Sequence, residues 1–436
     1  MNPKRITTII GGSLLLCLLG SPVVVFGQGN TWVGTSLARV VEEARWRLSS
    51  LRINAAVELL SAGHDSDVYF GYLDEPVPDF TLTAGLPVQV WAPLSKKVVL
   101  EFYDNPQYVY YFDTDKERAL NNTFQGQIHI ALEKFYIRAG GGMANVRRRL
   151  SPELNVNIRE KADSVDGLAL WQASRHTSLA LIFQRTAYDY GDEEFGGTTI
   201  AGMLNRAEGL FDLVAYVQPN PRLRLFVDGQ YGTYDFPDDL PSNRDAQSFG
   251  IFGGFEFTPR EGELISAARI EGDLTLGYVR LDMESPSFKD ASGISGTVNL
   301  SAVPFKRTTV RGVFSRGFEF SVFSGASYYL STSYGGGISR QLSSRISLSY
   351  DLMFGSSDYP EFDSGDGIRP GYRYSTHSAS LNFGLAPRLT LTLIGSLGRR
   401  TISQTDSARS RNFIGVNLIY GSPAGHVTVP VGAMSR

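Results

Sequence analysis

The sequence predicts an all-β fold: a transmembrane, antiparallel, up-and-down β-barrel of about 18 strands, preceded by a short N-terminal amphipathic helix. Three observations carry this prediction. Beyond residue 52, apolar and polar residues alternate with a period of two. Short turns and long polar loops alternate between those segments. The composition is the third: Gly 46, Tyr 21 and Phe 26 are high together, whereas Cys is 1. Past the N-terminus no run reaches the ~18 apolar residues of a membrane helix, which excludes a polytopic helical protein. One cysteine excludes a disulfide-stapled scaffold and a Cys-rich metal site. A net charge of -3 and a pI near 6.0 argue against a broad basic face for nucleic acid.

The first element is an address. Lys4 and Arg5 precede an apolar run from Ile6 to Phe26 that ends at Val25-Phe26-Gly27. Residues 1–27 therefore read as a secretory signal peptide. Gly11, Gly12, Ser13 and Pro22 weaken the alternative of an uncleaved anchor, and the leucines flanking Cys17 do not suit lipid attachment. Within the next segment, 28–51, residues 36–51 place Leu37, Val41, Ala44, Leu48 and Leu51 at helical spacing, with charged residues interleaved. This amphipathic helix is expected to stay on the periplasmic side, as a lumen plug or as a dock for an export partner, because so short a helix needs a surface to cover.

The barrel is expected over 52–420. Its strands are legible as Leu82 to Val90, Leu223 to Val227, Ile346 to Phe354 and Leu389 to Leu397. Pro87 cannot donate to a ladder, so a bulge is expected there. The short turns are marked by Pro93, Lys134, Arg175, Pro219, Pro259, Pro304, Leu342 and Pro387, at intervals of 38 to 45 residues. Each interval holds two strands and one long loop, so the repeat is a hairpin and not a propeller blade. Both chain ends then fall on the short-turn, periplasmic rim, including a tail at 421–436. An open sheet of this size would expose edges and an apolar face; closure in lipid removes both problems.

Tyrosines gather near the loop-side strand ends: Tyr108, Tyr110 and Tyr111, Tyr188 and Tyr190, Tyr231 and Tyr234, Tyr328 and Tyr329, Tyr372 and Tyr374. An interfacial aromatic girdle is the expected role, ahead of sugar stacking. In the last strand Gly415, Leu418 and Tyr420 stand at the spacing of a barrel-assembly signal, with Phe413 where a polar residue is usual. The polar phase of each strand nominates lumen residues: Glu101, Arg159, Lys161, Asp212, Arg224, Asp228, Arg269, Glu271, Asp273, Arg311 and Asp351. Both signs occur, which suits pairs bridging neighbouring strands better than a one-sign selectivity device.

Catalytic chemistry finds little support. His64, His129, His176, His377 and His426 lack ligand-spaced partners, so no metal and no cofactor are expected. His176 and Ser178 share a face but sit at a turn without a partner carboxylate. Glu361, Asp363 and Asp366 form an acidic loop that fails the calcium-loop pattern, and a solvated loop is expected.

Two loops, RTAYDYGDEEFGG from Arg185 and SSDYPEFDSGDGIRPGYRYS from Ser356, and the closing run STHSASLNFGLAPRLTLTLIGSLGRRTISQTDSARSRNFIGVNLIYG are similar to the putative beta-barrel porin 2 family. That resemblance covers most of 52–420. It implies an outer-membrane barrel for exopolysaccharide secretion, working with periplasmic or inner-membrane polysaccharide export components. Outer-membrane lipid and the barrel-assembly machinery are the other expected partners; nucleic acid is not. A general porin for small hydrophilic solutes and a structural or surface-interaction barrel remain open as alternatives.

Overall fold

The computed structural model describes residues 41, 44–70, 75–150, 153–154, 157–195, 198–220, 222–237, 244–257, 269–323, 326–360, 371–402 and 407–421. The expected leader, most of 28–44, the turn around Pro259, the acidic loop at 361–366, His426 and the tail beyond Gly421 lie outside the described residues.

The chain enters through β1 (Trp46–Leu48), which folds back on β2 (Leu51–Asp65). Next come β3 (Asp79–Gly85), β4 (Val88–Pro93), β5 (Val98–Asp104), β6 (Gln107–Tyr111), β7 (Ala119–Ala131) and β8 (Phe135–Arg148). β9 (Ile158–Gln172) and β10 (Thr177–Tyr190) lead to a small hairpin, β11 (Glu194–Phe195) and β12 (Thr198–Thr199), and to helix α1 (Ile200–Leu204). Then follow β13 (Arg206–Asn220), β14 (Leu223–Asp235), β15 (Ala246–Phe257), β16 (Arg269–Met283), β17 (Ala291–Phe305) and β18 (Thr308–Phe320). The last are β19 (Tyr328–Gln341), β20 (Ile346–Asp358), β21 (Gly371–Ala386), β22 (Leu389–Ile402) and β23 (Ser407–Gly421).

Every neighbour pair is antiparallel, and β2 pairs with β23, so the sheet closes on itself as an 18-strand barrel. β3 with β4, and β5 with β6, each act as one interrupted strand. The interruptions fall at Pro87 and Pro106, side by side. No bulge forms: Val88↔Asp104 and Gly85↔Gln107 keep one register across the gap. Each proline removes one donor but still accepts, Pro87 O from Ala56 N at 3.0 Å and Pro106 O from Leu86 N at 3.1 Å. The ladder therefore loses bonds without gaining a residue. Shifts occur elsewhere, notably in β2, where Ser61 adopts φ 50° and the pairing with β23 slips between Leu59 and Ala62.

Alternation sets the two faces. In β13, Phe211, Leu213 and Val217 are exposed on the outer surface, while Glu208, Leu210, Asp212 and Val214 are buried on the lumen side. The same holds for Val227 against Asp228 and for Ile251 against Phe252. Apolar side chains outward and polar ones inward is the pattern lipid requires. The helical spacing read over 36–51 stops early: Val41 is helical, but from Trp46 to Leu48 the chain is extended and registered on Ile53 to Leu51. The backbone there gains ladder bonds next to β2 that a free helix end would lack.

Candidate functional site

The lumen wall comes first. Glu101 points inward, buried, and accepts hydrogen bonds from Gln89 Nε2 at 2.5 Å and from His129 Nε2 at 2.9 Å. The other ring nitrogen of His129 lies 2.8 Å from the Tyr136 hydroxyl. Asp212 accepts from Gln230 Nε2 at 3.1 Å. Arg224 pairs with Glu256 at 2.5 Å and lies over the Tyr216 ring. Arg311 pairs with Asp351 at 2.6 Å. Asp228 and Asp273 are buried on the same face, Asp273 directly across the ladder from Glu256. Glu271 shares the phase of Asp273, and Arg269 lies in β16 with its side chain outside what is described.

Arg159 and Lys161 are corrections. In β9 the buried positions are Glu160, Ala162 and Ser164, so Arg159 and Lys161 face outward. Lys161 meets Asp189 at 3.2 Å on the outside, and Arg159 reaches Leu120 O and Asn145 Oδ1. Near the loops the strands rise above lipid, both faces are wet, and polarity no longer tells in from out. Sequence reading also missed Glu256, His129 and two lumen pairs, Arg138–Asp166 at 3.2 Å and Arg148–Glu160 at 3.1 Å. Their partners come from register, which the sequence does not display. His129 carried the one available signal, a histidine on the polar phase of a strand.

The extracellular mouth holds the larger surprise. Tyr108, Tyr110 and Tyr231 face outward, as a girdle requires, with Tyr231 beside Phe249 at 5.0 Å. Tyr188, Tyr190, Tyr234, Tyr328, Tyr329 and Tyr372 do not: they are buried within the mouth. Tyr188 and Tyr190 stack at 6.1 Å, and Tyr234 meets Phe320 edge to face at 5.2 Å. β17 pairs with β18 only as far as Gly296↔Arg316. Beyond that point the β18–β19 hairpin packs Phe318 and Phe320 against Tyr234, Leu281 and Met283. Helix α1 adds Ile200, Met203 and Leu204 to a cluster with Leu154, Ile158 and Val322. These loop residues are apolar, and burial over the lumen is their alternative to water.

Two buried charges knit these loops together. Arg244 is 1% exposed and donates to Ser321 O at 2.7 Å and to Phe323 O at 2.8 Å, with longer bonds to Met203 O and Ala326 O. Glu153 is fully buried and accepts from Ser321 Oγ at 2.6 Å, Tyr359 Oη at 2.7 Å and Val322 N at 2.9 Å. Burial pushes the Glu153 carboxyl above its ordinary range, against the opposing pull of those three donors and of Arg244. One carboxyl and one guanidinium thus tie the connections after β8, β14, β18 and β20 to the helix after β12.

At the seam, Gly415, Leu418 and Tyr420 lie on β23 against β2, with Leu59↔Leu418 and Val57↔Tyr420 in register. Tyr420 is exposed on the outer face, and Phe413 is buried inside. A Cβ on Gly415 would come within 2.6 Å of the Phe413 ring, so a larger residue there would have to displace that aromatic. Among the described residues no group of three His, Cys, Asp or Glu side chains could hold a metal ion. His176 sits at its short turn with Nδ1 3.0 Å from Gln218 O.

Comparison with known proteins agrees with this architecture. A family model described as Putative beta-barrel porin 2 matches residues 176–420. A BenF-like porin from Pseudomonas fluorescens Pf-5 superposes with a TM-score of 0.51 at 11% identity, over 86% of this chain and 100% of that one. The outer membrane protein opdK from Pseudomonas aeruginosa gives 0.50 at 10% identity, over 85% of this chain and 98% of that one. No curated protein matches the sequence. At these identities the likeness is one of fold.

Proposed function

The chain belongs to the Putative beta-barrel porin 2 family and is an outer-membrane, porin-like β-barrel, and from that premise we propose that it is a passive conduit for export of an exopolysaccharide. The observation that carries this reading is the wall, whose charges are paired across strands and present no field of one sign. A wall of balanced sign releases a neutral chain readily. A strong polyanion would instead call for a field of one sign. Delivery by a cleavable leader at 1–27 and engagement of periplasmic or inner-membrane export components belong to the same proposal.

Deletion of the gene tests it. Loss of surface polysaccharide with periplasmic accumulation is the expected result. Unchanged surface polysaccharide with lost uptake of small sugars would overturn it in favour of a general diffusion porin. The packed mouth favours that second reading, because it admits a small solute with less loop movement than a polymer needs. Planar-bilayer recording separates both from a structural barrel, which would pass no current.

A further inference from the structure

The upper part of the β18–β19 hairpin is buried on the face that should meet lipid. Lower down, Val310 on β18 and Tyr334 and Ile338 on β19 point outward and are exposed. Steps of two along the same face lead to Phe318 and Phe320, which the register sets opposite Leu330 and Tyr328. Phe318, Phe320 and Tyr328 are nevertheless buried. Their cover is the lumen side of the staves before them: Tyr234, Leu281 and Ala291 lie on the inward phases of β14, β16 and β17, with Asp228, Asp273 and Asn299. The Phe320 ring stands 5.2 Å from that of Tyr234, and a Cβ on inward Gly293 would lie 3.6 Å from the Phe318 ring. This part of the hairpin has therefore left the wall and lies inside it.

β17 is left with a bared edge. Its ladder to β18 ends at Gly296↔Arg316, although the strand runs on to Ala291. At that step Ser295, an inward side chain, donates its hydroxyl to Arg316 O at 2.7 Å, where β18 turns in. Next on the edge is Ile294, exposed on the outer face across from Tyr278. An edge at lipid height is costly, because lipid offers its amides no partner. The register supplies one: continued upward, the ladder would set Ile294 opposite Phe318 and Ser292 opposite Phe320, with both rings toward lipid. β19 keeps its ladder to β20 as far as Leu330↔Asp358, so above Arg316 the hairpin hangs from β20.

We propose that this hairpin, 317–320 of β18 with 328–330 of β19, is the gate of the barrel and has two seats. In the seat seen here it lies across the mouth, held by apolar packing and, at its tip, by Arg244 on Ser321 O and Glu153 on Val322 N. In the other it completes the wall beside β17, clears the mouth, and exchanges those contacts for ladder bonds. The same aromatic rings are kept from water in both, by lumen-side residues in one and by lipid in the other, as a two-state element requires. The gate rests on the reading of the barrel as a conduit, though not on any particular solute.

Paired cysteines test it in the full-length protein in outer membranes, whose native cysteine, Cys17, lies in the expected leader. Ile294→Cys with Phe318→Cys should form a disulfide on mild oxidation, because the wall seat brings the two side chains together and the tucked seat keeps them on opposite faces of β17. The oxidised barrel should conduct severalfold better than the reduced one in planar bilayers. Tyr234→Cys with Phe320→Cys, joined by a short thiol-reactive linker, should instead hold the current at its low level. Val298→Cys with Phe314→Cys, already in register, reports that oxidation reached the wall. If that control pair links and Ile294→Cys with Phe318→Cys does not, the hairpin has one seat and the gate is overturned. A linked pair with unchanged current would overturn it too. Absence of current from the parent and from both locked forms, with linkage intact, would overturn the conduit reading, and the gate with it.

Discussion

In the barrel wall, Arg224 meets Glu256 across one ladder step near the short-turn rim, and Arg311 reaches Asp351 over Gly337 of the intervening β19. At the mouth, Arg244 and Glu153 are as charged by type, and both are turned to loop backbone and hydroxyls. The difference lies in what each charge holds. Wall pairs join staves that the ladder already fixes, so they tune the wall. Mouth groups join connections that have no ladder in common, so the packing of the mouth rests on them.

Arg244 is where this contrast breaks most severely. Arg244→Ala leaves Ser321 O, Phe323 O and their neighbours without that donor, at a cost of about 1–3 kcal/mol for each carbonyl that water fails to reach. The expected outcome is a severalfold rise in conductance and new protease cleavage in the loops after β14 and β18. An unchanged current with an unchanged cleavage pattern would show that the mouth is held by its aromatic packing alone.

Glu153 sharpens the contrast through pH. Its pKa is raised by burial, so the packed mouth favours the neutral acid. That contribution is fully present below the ordinary carboxylate pKa and is lost as pH rises through the raised one. Open probability should therefore increase with pH in bilayer recordings, and Glu153→Gln should flatten the profile. If Glu153→Gln titrates like the parent, another group sets the response.

Smaller effects belong to the wall. Arg224→Ala leaves Glu256 facing Asp273 without its cation. We expect a loss of about 1–3 kcal/mol in stability and a reversal potential shifted toward cations, with the mouth intact. An unshifted reversal potential would place this pair away from the ion path. The least change is expected at Lys161, whose outward pair with Asp189 is more than half exposed on both sides. Lys161→Ala should cost no more than about 0.5 kcal/mol and leave conductance alone. A clear drop in current would contradict the outward placement.

Strand number, closure and the short-turn rim were legible because period-two patterning and turn chemistry are local. Asp212, Arg224, Asp228, Arg311 and Asp351 were assigned to the lumen by the same local rule. The rule failed where its physical cause ended. Above the lipid, Arg159 and Lys161 sit on an outer face that water covers. Tyr188, Tyr190 and Tyr234 looked like girdle residues, yet loops too far apart in sequence to be read together bury them. Pro87 was read correctly as a missing donor, but the matching gap at Pro106 spares the ladder a bulge.

The slip in β2 has a consequence for how the cylinder is finished. Where Ser61 turns to positive φ, its amide leaves the ladder and is taken instead by the side chain of Asn417 at 2.7 Å, 356 residues later in the chain. Asn417 can supply that oxygen only when the first and last staves meet in one alignment. A closure displaced by one residue would leave a bare amide at the seam and turn Ile414 and Leu418 away from lipid. The join therefore carries its own error check, and a barrel sealed out of step is the less stable product.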